Sequence, residues 1–187
     1  MSTNLRNYLV AVFGMEAVIN AAPAEAWDNS SPCEGWTARD VAGHAMGVIS
    51  NVAARAGVGD SIDPFASPGA IAGDDVAAAW RVTRNRLLTA LDRPGALQRA
   101  ATSSLGTMTV DDFLGAMLGD AFIHTWDIAR ATGGNERLDP ELIPVVQASL
   151  EGRGETLLRA PGRYLAAQAA NTTDPQARLL AFAGRTV

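Results

Sequence analysis

Apolar residues recur at intervals of three and four along most of this chain. That period is helical, because side chains three or four positions apart share a face of a helix with 3.6 residues per turn. Leu5, Tyr8, Leu9, Val12, Met15 and Ile19 form one such stripe, and Pro23 lies just beyond its end. Thr37 with Asp40 three residues on reads as an N-cap and its reciprocal partner. The helix it starts runs to about Ala56 and puts Val41, His44, Val48 and Val52 on one face. A third helix begins near Asp74 or Asp75, whose charge suits a helix N-terminus. It carries Val76, Trp80, Leu87 and Leu91 and stops before Pro94-Gly95. The fourth is the longest, about 110–132, capped by Thr109 and closed by Gly133-Gly134. A shorter fifth helix is expected from Asp139-Pro140-Glu141, with Asp as cap and Pro at the first position.

Between these stripes the pattern breaks. Residues 28–36 read as a loop, and 57–73, with its glycines, Pro64 and Pro68, as a long one. Residues 95–108 are either extended with a turn at Gly106 or irregular. Beyond Gly152 the periodicity fades, with a terminal helical turn over 176–183. Four long amphipathic helices predict an all-α chain: a four-helix bundle over 1–152 and a C-terminal helical tail, 153–187, packed on it.

Composition narrows the chemistry. At 187 residues, 48% apolar and 19% charged, the chain can bury a full core. All 15 basic residues are arginine, so lysine Schiff bases and phosphate loops of the P-loop type are excluded. One cysteine excludes an intrachain disulfide framework and a thiolate-rich zinc site. A net charge of -5 argues against nucleic acid and against anionic membrane surfaces. No apolar run approaches the ~20 residues that a bilayer demands. Ala21-Ala22-Pro23-Ala24 resembles a small-residue cleavage site, but the apolar run before it is short and Glu16 and Asn20 interrupt it. The expectation is a cytoplasmic protein with a reduced thiol and no signal peptide.

The anomaly lies on the core stripes. In the fourth helix, Asp120 and His124 share the face of Val110, Phe113, Leu114, Met117, Ala121 and Ile128, one turn apart. His44 sits between Val41 and Val48. Both histidines of the chain therefore face the core, together with a carboxylate whose burial without partners costs several kcal/mol. Two readings satisfy them: a buried hydrogen-bonded Asp–His pair with His44 elsewhere, or a metal held by two histidines and one carboxylate from two helices with coordination positions open. Asn51 and Arg55 continue the face of His44 by two and three turns. They either line a pocket above such a metal or form a solvated helix end. Cys33 reads as packing or as a thiol activated by the nearby helix start. Asp127 projects to another face and reads as the partner of Arg130 or of a loop amide.

Three segments carry a resemblance. Ser31-Pro-Cys-Glu-Gly-Trp-Thr-Ala-Arg-Asp-Val-Ala-Gly-His44 resembles the "PCeGWtvrdlvgH" block of the mycothiol-dependent maleylpyruvate isomerase-like proteins, a branch of the DinB-like superfamily. Asp120-Ala-Phe-Ile-His124-Thr-Trp-Asp-Ile-Ala-Arg-Ala-Thr-Gly133 resembles the "D-x-x-x-H-x-WDLARATG" block, and Asp174 to Arg185 the closing "RLLAFlGR". The resemblance implies an up-down-down-up bundle with a divalent metal at one end, zinc first among candidates and nickel or another divalent ion behind it. It implies His44, Asp120 and His124 as the ligands. The isomerase itself carries Glu at the position of Asp120, one methylene longer, and continues into a larger C-terminal domain.

Such a metal lowers the pKa of a bound water or thiol. The resemblance makes mycothiol the thiol co-substrate and a small electrophile its partner. The expected activity is a metal-dependent S-transferase or isomerase, in a monomer or homodimer. The alternatives are a metal-dependent hydrolase and a non-catalytic bundle that binds a small ligand.

Overall fold

In the computed structural model, which describes residues 1–103, 106–160 and 163–187, the chain is mostly helical. Four long helices make the body: α1 (Thr3–Ala21), α2 (Ala38–Arg55), α4 (Val76–Leu91) and α5 (Val110–Thr132). Between α2 and α4 lies the short α3 (Pro68–Ala72), and after α5 come α6 (Ile143–Glu151), α7 (Glu155–Leu158) and α8 (Pro175–Phe182).

Local chemistry sets the starts and stops. Ser2 caps α1 by accepting from Leu5 N–H. Thr37 and Asp40 form a complete capping box at α2: Thr37 Oγ1 accepts from Asp40 N–H while the Asp40 carboxylate accepts from Thr37 N–H. Asp75 caps α4 by accepting from Ala78 N–H and Thr109 caps α5 by accepting from Asp112 N–H, and α5 ends on Gly133 in the left-handed conformation that glycine adopts at no steric cost.

Contacts at the helix ends give the topology. Ser2 and Asn4 at the start of α1 reach Asp111 at the start of α5, so these two run parallel. Arg55 at the end of α2 stacks on Phe113 near the start of α5, so that pair is antiparallel. Arg93, just past α4, donates to the carbonyl of Gly57, just past α2, so those two are parallel. The bundle is therefore up-down-down-up, with α1 and α2 on opposite corners, each packed between α4 and α5. Tyr8, Met15, Met46, Ile49, Trp80, Leu87, Leu114 and Ile123 fill its centre. No helix among the described residues is long and apolar enough to cross a membrane.

Three segments differ from the sequence reading or complete it. The ambiguous stretch before α5 is an antiparallel hairpin, β1 (Ala100–Ser103) with β2 (Gly106–Thr109), pairing Ala101 with Met108. Its turn lies outside the described residues. The fifth helix does not begin at Pro140. Asp139 instead closes a turn, its side chain accepting from Glu141 N–H and its carbonyl from Leu142 N–H, and α6 starts at Ile143. A helix begun at Pro140 would place Pro144 in its interior, where the missing N–H and the ring clash are costly; started at Ile143, it keeps that proline in the first turn.

The loop 57–73 is the third, and it shapes the site. It folds across α2 at two glycines. A Cβ on Gly43 would stand 1.7 Å from the carbonyl oxygen of Pro68, and one on Gly47 2.8 Å from Pro64 Cβ. Asp40 fixes the same crossing by accepting from Gly69 N–H at 3.0 Å.

Because the obstacle at Gly43 is backbone, the loop must move to admit a side chain. Gly43→Ala is expected to lower the unfolding free energy by about 1–3 kcal/mol, read as a lower urea midpoint with the helical circular dichroism of the native state retained. An unchanged midpoint would show that the crossing is not tight.

Candidate metal site

His44 on α2 and Asp120 and His124 on α5 converge at one end of the bundle. His44 Nε2 is 3.4 Å and His124 Nε2 3.6 Å from the same oxygen, Asp120 Oδ1, and the three ligand atoms lie within 4.8 Å of one another. His44 is almost fully buried and Asp120 is about one quarter exposed, so the cluster opens to one side only.

The backs of both rings are fixed. His44 Nδ1 lies 3.3 Å from the carbonyl of Pro64, which can only accept, so this nitrogen carries the proton. His124 Nδ1 lies 2.8 Å from Asp127 Oδ2 and donates to it. In the neutral rings both Nε2 atoms then present lone pairs toward the Asp120 carboxylate. Three acceptors facing one another need a positive charge among them. A proton meets part of that need: burial works against a charged His44, but the hydrogen bond and charge of Asp120 outweigh it and raise its pKa. Desolvation likewise opposes ionisation of Asp120, and the two histidines overcome it, so its pKa is lowered.

A divalent cation meets the need fully, and the donor set fits one. Ligand atoms about 2.0–2.2 Å from a tetrahedral ion stand about 3.3–3.6 Å apart, the spacing of Asp120 Oδ1 from both nitrogens. Asp120 Oδ1 thus stands at a ligand-to-ligand spacing from both imidazoles. Hydrogen bonds on the far nitrogens of both histidines are the usual outer support of metal-binding imidazoles.

Asp127 is the residue that sequence reasoning misassigned. Its partner is not Arg130, which pairs with Glu136. Asp127 is fully buried and accepts from His124 and, with both oxygens, from Arg185 at the other end of the chain: Nε at 3.0 Å and Nη2 at 2.6 Å. Burial alone would raise its pKa; the hydrogen bonds from His124 and Arg185 reverse this and hold it at about 2. The signal was present in the i, i+3 spacing of His124 and Asp127, which puts both on one side of α5.

Cys33 sits beside this pair, its thiol donating to Asp127 Oδ2 at 3.4 Å and 3.9 Å from His124 Nδ1. Desolvation pushes its pKa well up, Asp127 adds to that, and Arg185 opposes it. The thiol is thus kept protonated rather than activated. Cys33, His124 and Asp127 also lie close enough to hold an ion, but Arg185 already balances the carboxylate there.

A cavity of about 810 Å³ opens from the triad along the groove between α2 and α5. Asn51 and Arg55 both line it. The amide of Asn51 is engaged on both sides with the backbone of Ile62, at 2.8 Å each, so Asn51 holds the crossing loop. Phe65 from that loop and Trp36 pack on the ring of His44, with centroids 4.7 and 5.1 Å away. Tyr164 closes another wall, its hydroxyl accommodated by the bare face of Gly119.

Residues 14–129 match the family model described as the mycothiol maleylpyruvate isomerase N-terminal domain. The chain belongs to this family. It is 30% identical, over 174 residues and 91% of each chain, to two uncharacterized proteins of Mycobacterium tuberculosis, from strains CDC 1551 / Oshkosh and ATCC 25618 / H37Rv. The crystal structure of the mycothiol-dependent maleylpyruvate isomerase superposes with a TM-score of 0.61, and that of a histidine-to-alanine mutant of it with 0.58. Each covers 80% of this chain and 67% of its own at 16% identity, a likeness of fold.

The depressed pKa of Asp127 sets a pH dependence. Unfolded, the group titrates near 3.8, and folded near 2. Its stabilisation, on the order of 2 kcal/mol, is therefore fully present above pH 5 and lost as pH falls toward 2. The stability difference between the native protein and Asp127→Asn should shrink by roughly half between pH 6 and pH 3, as followed by urea denaturation. A difference independent of pH would mean that Asp127 is not ionised in the fold.

Proposed function

We infer that this protein is a metal-dependent enzyme of thiol chemistry. In this reading His44, Asp120 and His124 hold a divalent cation, and a small thiol, mycothiol by family, reacts in the adjoining cavity with a small electrophile. The observation that carries the reading is the convergence of three lone-pair atoms whose rings are fixed from behind by Pro64 and Asp127. Family membership supports the thiol, and so does the solved fold relative, whose own description is mycothiol-dependent maleylpyruvate isomerase.

A cation bound there supplies Lewis acidity that keeps a thiol deprotonated near neutral pH, where free thiols of pKa about 8.5 are mostly protonated. The chain's own residues do the rest. Pro64 and Asp127 hold the two imidazoles in register. Phe65 and Trp36 keep water from the buried side of His44. The open side of Asp120 faces the cavity where both reactants must meet. Addition of the thiolate to one carbon of an activated C=C bond forms a C–S bond as the π pair moves onto the electron-withdrawing group. Expulsion of the thiolate after rotation about the former double bond restores C=C in an isomerised product, whereas protonation of the carbanion, or loss of halide where the carbon is saturated, leaves the C–S bond in place as S-transfer. Family membership supports the isomerase course, and a cytoplasmic location follows from a thiol that must stay reduced.

Purified protein is expected to carry a stoichiometric divalent metal by elemental analysis, and His44→Ala to lose it while remaining folded. Metal-loaded protein should conjugate mycothiol to a bromobimane reporter at least tenfold above the uncatalysed rate. Metal retained in His44→Ala would remove His44 from the ligand set. Conjugation at the background rate with no thiol binding would remove the thiol chemistry, and turnover of an ester without thiol would make the site a hydrolase.

A further inference from the structure

The cavity is cationic in a protein that is anionic overall. Its charged lining is Arg55, Arg153, Arg163 and Arg185 against Glu34 and Asp120, while the whole chain carries -5. Arg185 is matched by Asp127. Arg55 is different. It is half-buried, its Nη1 donates to the carbonyl of Asn51 one turn back, and its guanidinium lies over the ring of Phe113 with Cζ 4.5 Å from the centroid. Its Nε is buried without a hydrogen-bond partner, and no carboxylate among the described residues pairs with it. Nε is closed off from the cavity as well as from solvent, so what Arg55 offers the groove is a guanidinium charge that no carboxylate among the described residues balances and that a bound anion would.

The surroundings say what kind of anion. His44, Val48, Asn51 and Arg55 line the groove from α2, and His124, Asp120, Met117 and Phe113 line it from α5 in the reverse order. Each set spans eleven positions, about three turns or roughly 16 Å of helix axis. The triad is at one end, Arg55 over Phe113 at the other, and between them the walls are Val48 and Met117. The amide of Asn51 commits one donor and one acceptor to the backbone of Ile62, which fixes its orientation beside the groove.

We propose that the α2–α5 groove binds an elongated organic anion, its apolar stem along Val48 and Met117 and its anionic end on the guanidinium of Arg55, with the opposite end of the molecule directed to the triad. Arg55 is the residue that selects it. The proposal rests on the reading of this cavity as the substrate site and names the class of its acceptor substrate: an amphiphilic acid about 10–15 Å long, from three turns of groove less the reach of the two end groups. Arginine supplies both the charge and a planar fork for a carboxylate, which lysine would supply only as a point charge.

The test uses octanoate and its neutral isostere octanamide, titrated into the metal-loaded full chain with Trp36 in the cavity wall as fluorescent reporter. Octanoate is expected to bind about tenfold tighter than octanamide. In Arg55→Met that ratio should fall to near one, with metal content and thermal midpoint unchanged, and Arg55→Lys should recover part of it. Equal binding of the two ligands by the native protein overturns the proposal. So does Arg55→Met that keeps the native ratio, since the carboxylate is then held at the triad. The bromobimane assay is separate: an intact octanoate preference beside background conjugation removes the thiol chemistry and leaves the anion subsite standing.

Discussion

Two imidazole nitrogens and a carboxylate oxygen cannot face one another across a few ångströms of helical core unless a positive charge lies among them. The organisation of this end of the bundle follows from that constraint. Each imidazole must be held with its proton pointing away, and the two outer partners that do so come from different parts of the chain. Pro64 lies on the loop that crosses α2, and Asp127 on α5 itself, one turn past His124. The cost of burying Asp127 is offset by a bidentate arginine from the chain's end, because a lone buried carboxylate would take up a proton and release its hold on His124. The cluster is therefore a chain of hydrogen bonds, Arg185 to Asp127 and His124 to Asp127, with the Asp120 carboxylate on the far side of the His124 ring.

Close backbone approach is what lets the loop take part. Gly43 and Gly47 sit one turn apart on the face of α2 turned to the loop, so the crossing segment lies almost on the helix backbone. A side chain on Gly47 would push Pro64 away from His44 and take Phe65 with it, and one on Gly43 would displace the segment at Pro68. The helical propensity given up at two glycines, about 1 kcal/mol each, is exchanged for a fixed tautomer in the ring next door. The same crossing is tied twice more, at Asp40 to Gly69 and at Asn51 to Ile62. One stretch of α2 thus carries His44, the small residues that admit its support, and the anchors of that support.

The helices were legible because their causes are local. Thr37 with Asp40, Thr109 with Asp112 and Gly133 are signals within a few residues, and each terminates an element where expected. The juxtaposition of His44 with Asp120 and His124 was legible only in part: polar residues on an apolar stripe must find each other or water, which pairs Asp120 with His124 but leaves His44 open, and the family resemblance brought the three together. What the sequence hid was long-range. Nothing in the spacing of Asp127 points to Arg185, fifty-eight positions away, and Arg130 nearby was the more obvious partner. The start of α6 was hidden by two competing prolines, of which the second governs, because a proline past the first turn removes a needed N–H. The crossing loop was hidden because its order comes from anchors on α2 rather than from any periodicity of its own.

The chain's last residues belong to the argument about the site rather than to an appendix. Arg185 reaches Asp127, and Arg153, Tyr164 and Leu165 supply one wall of the cavity, while the triad and Arg55 stand on α2 and α5. Residues on α2 and α5 are held by the bundle core, where a shift in one helix disturbs the packing of all four. The opposite wall is held by Leu150, Leu158, Leu179 and Leu180, which are buried in the same core, and by hydrogen bonds from Arg185 to Asp127, Arg153 to Ala116 and Gln168 to Ala181. Two arginines join the walls: Arg185 through the buried carboxylate of Asp127, and Arg153 through the carbonyl of Ala116, both on α5. The C-terminal segment is thereby tied to the same helix that carries Asp120 and His124, so the shape of the cavity depends on both ends of the chain.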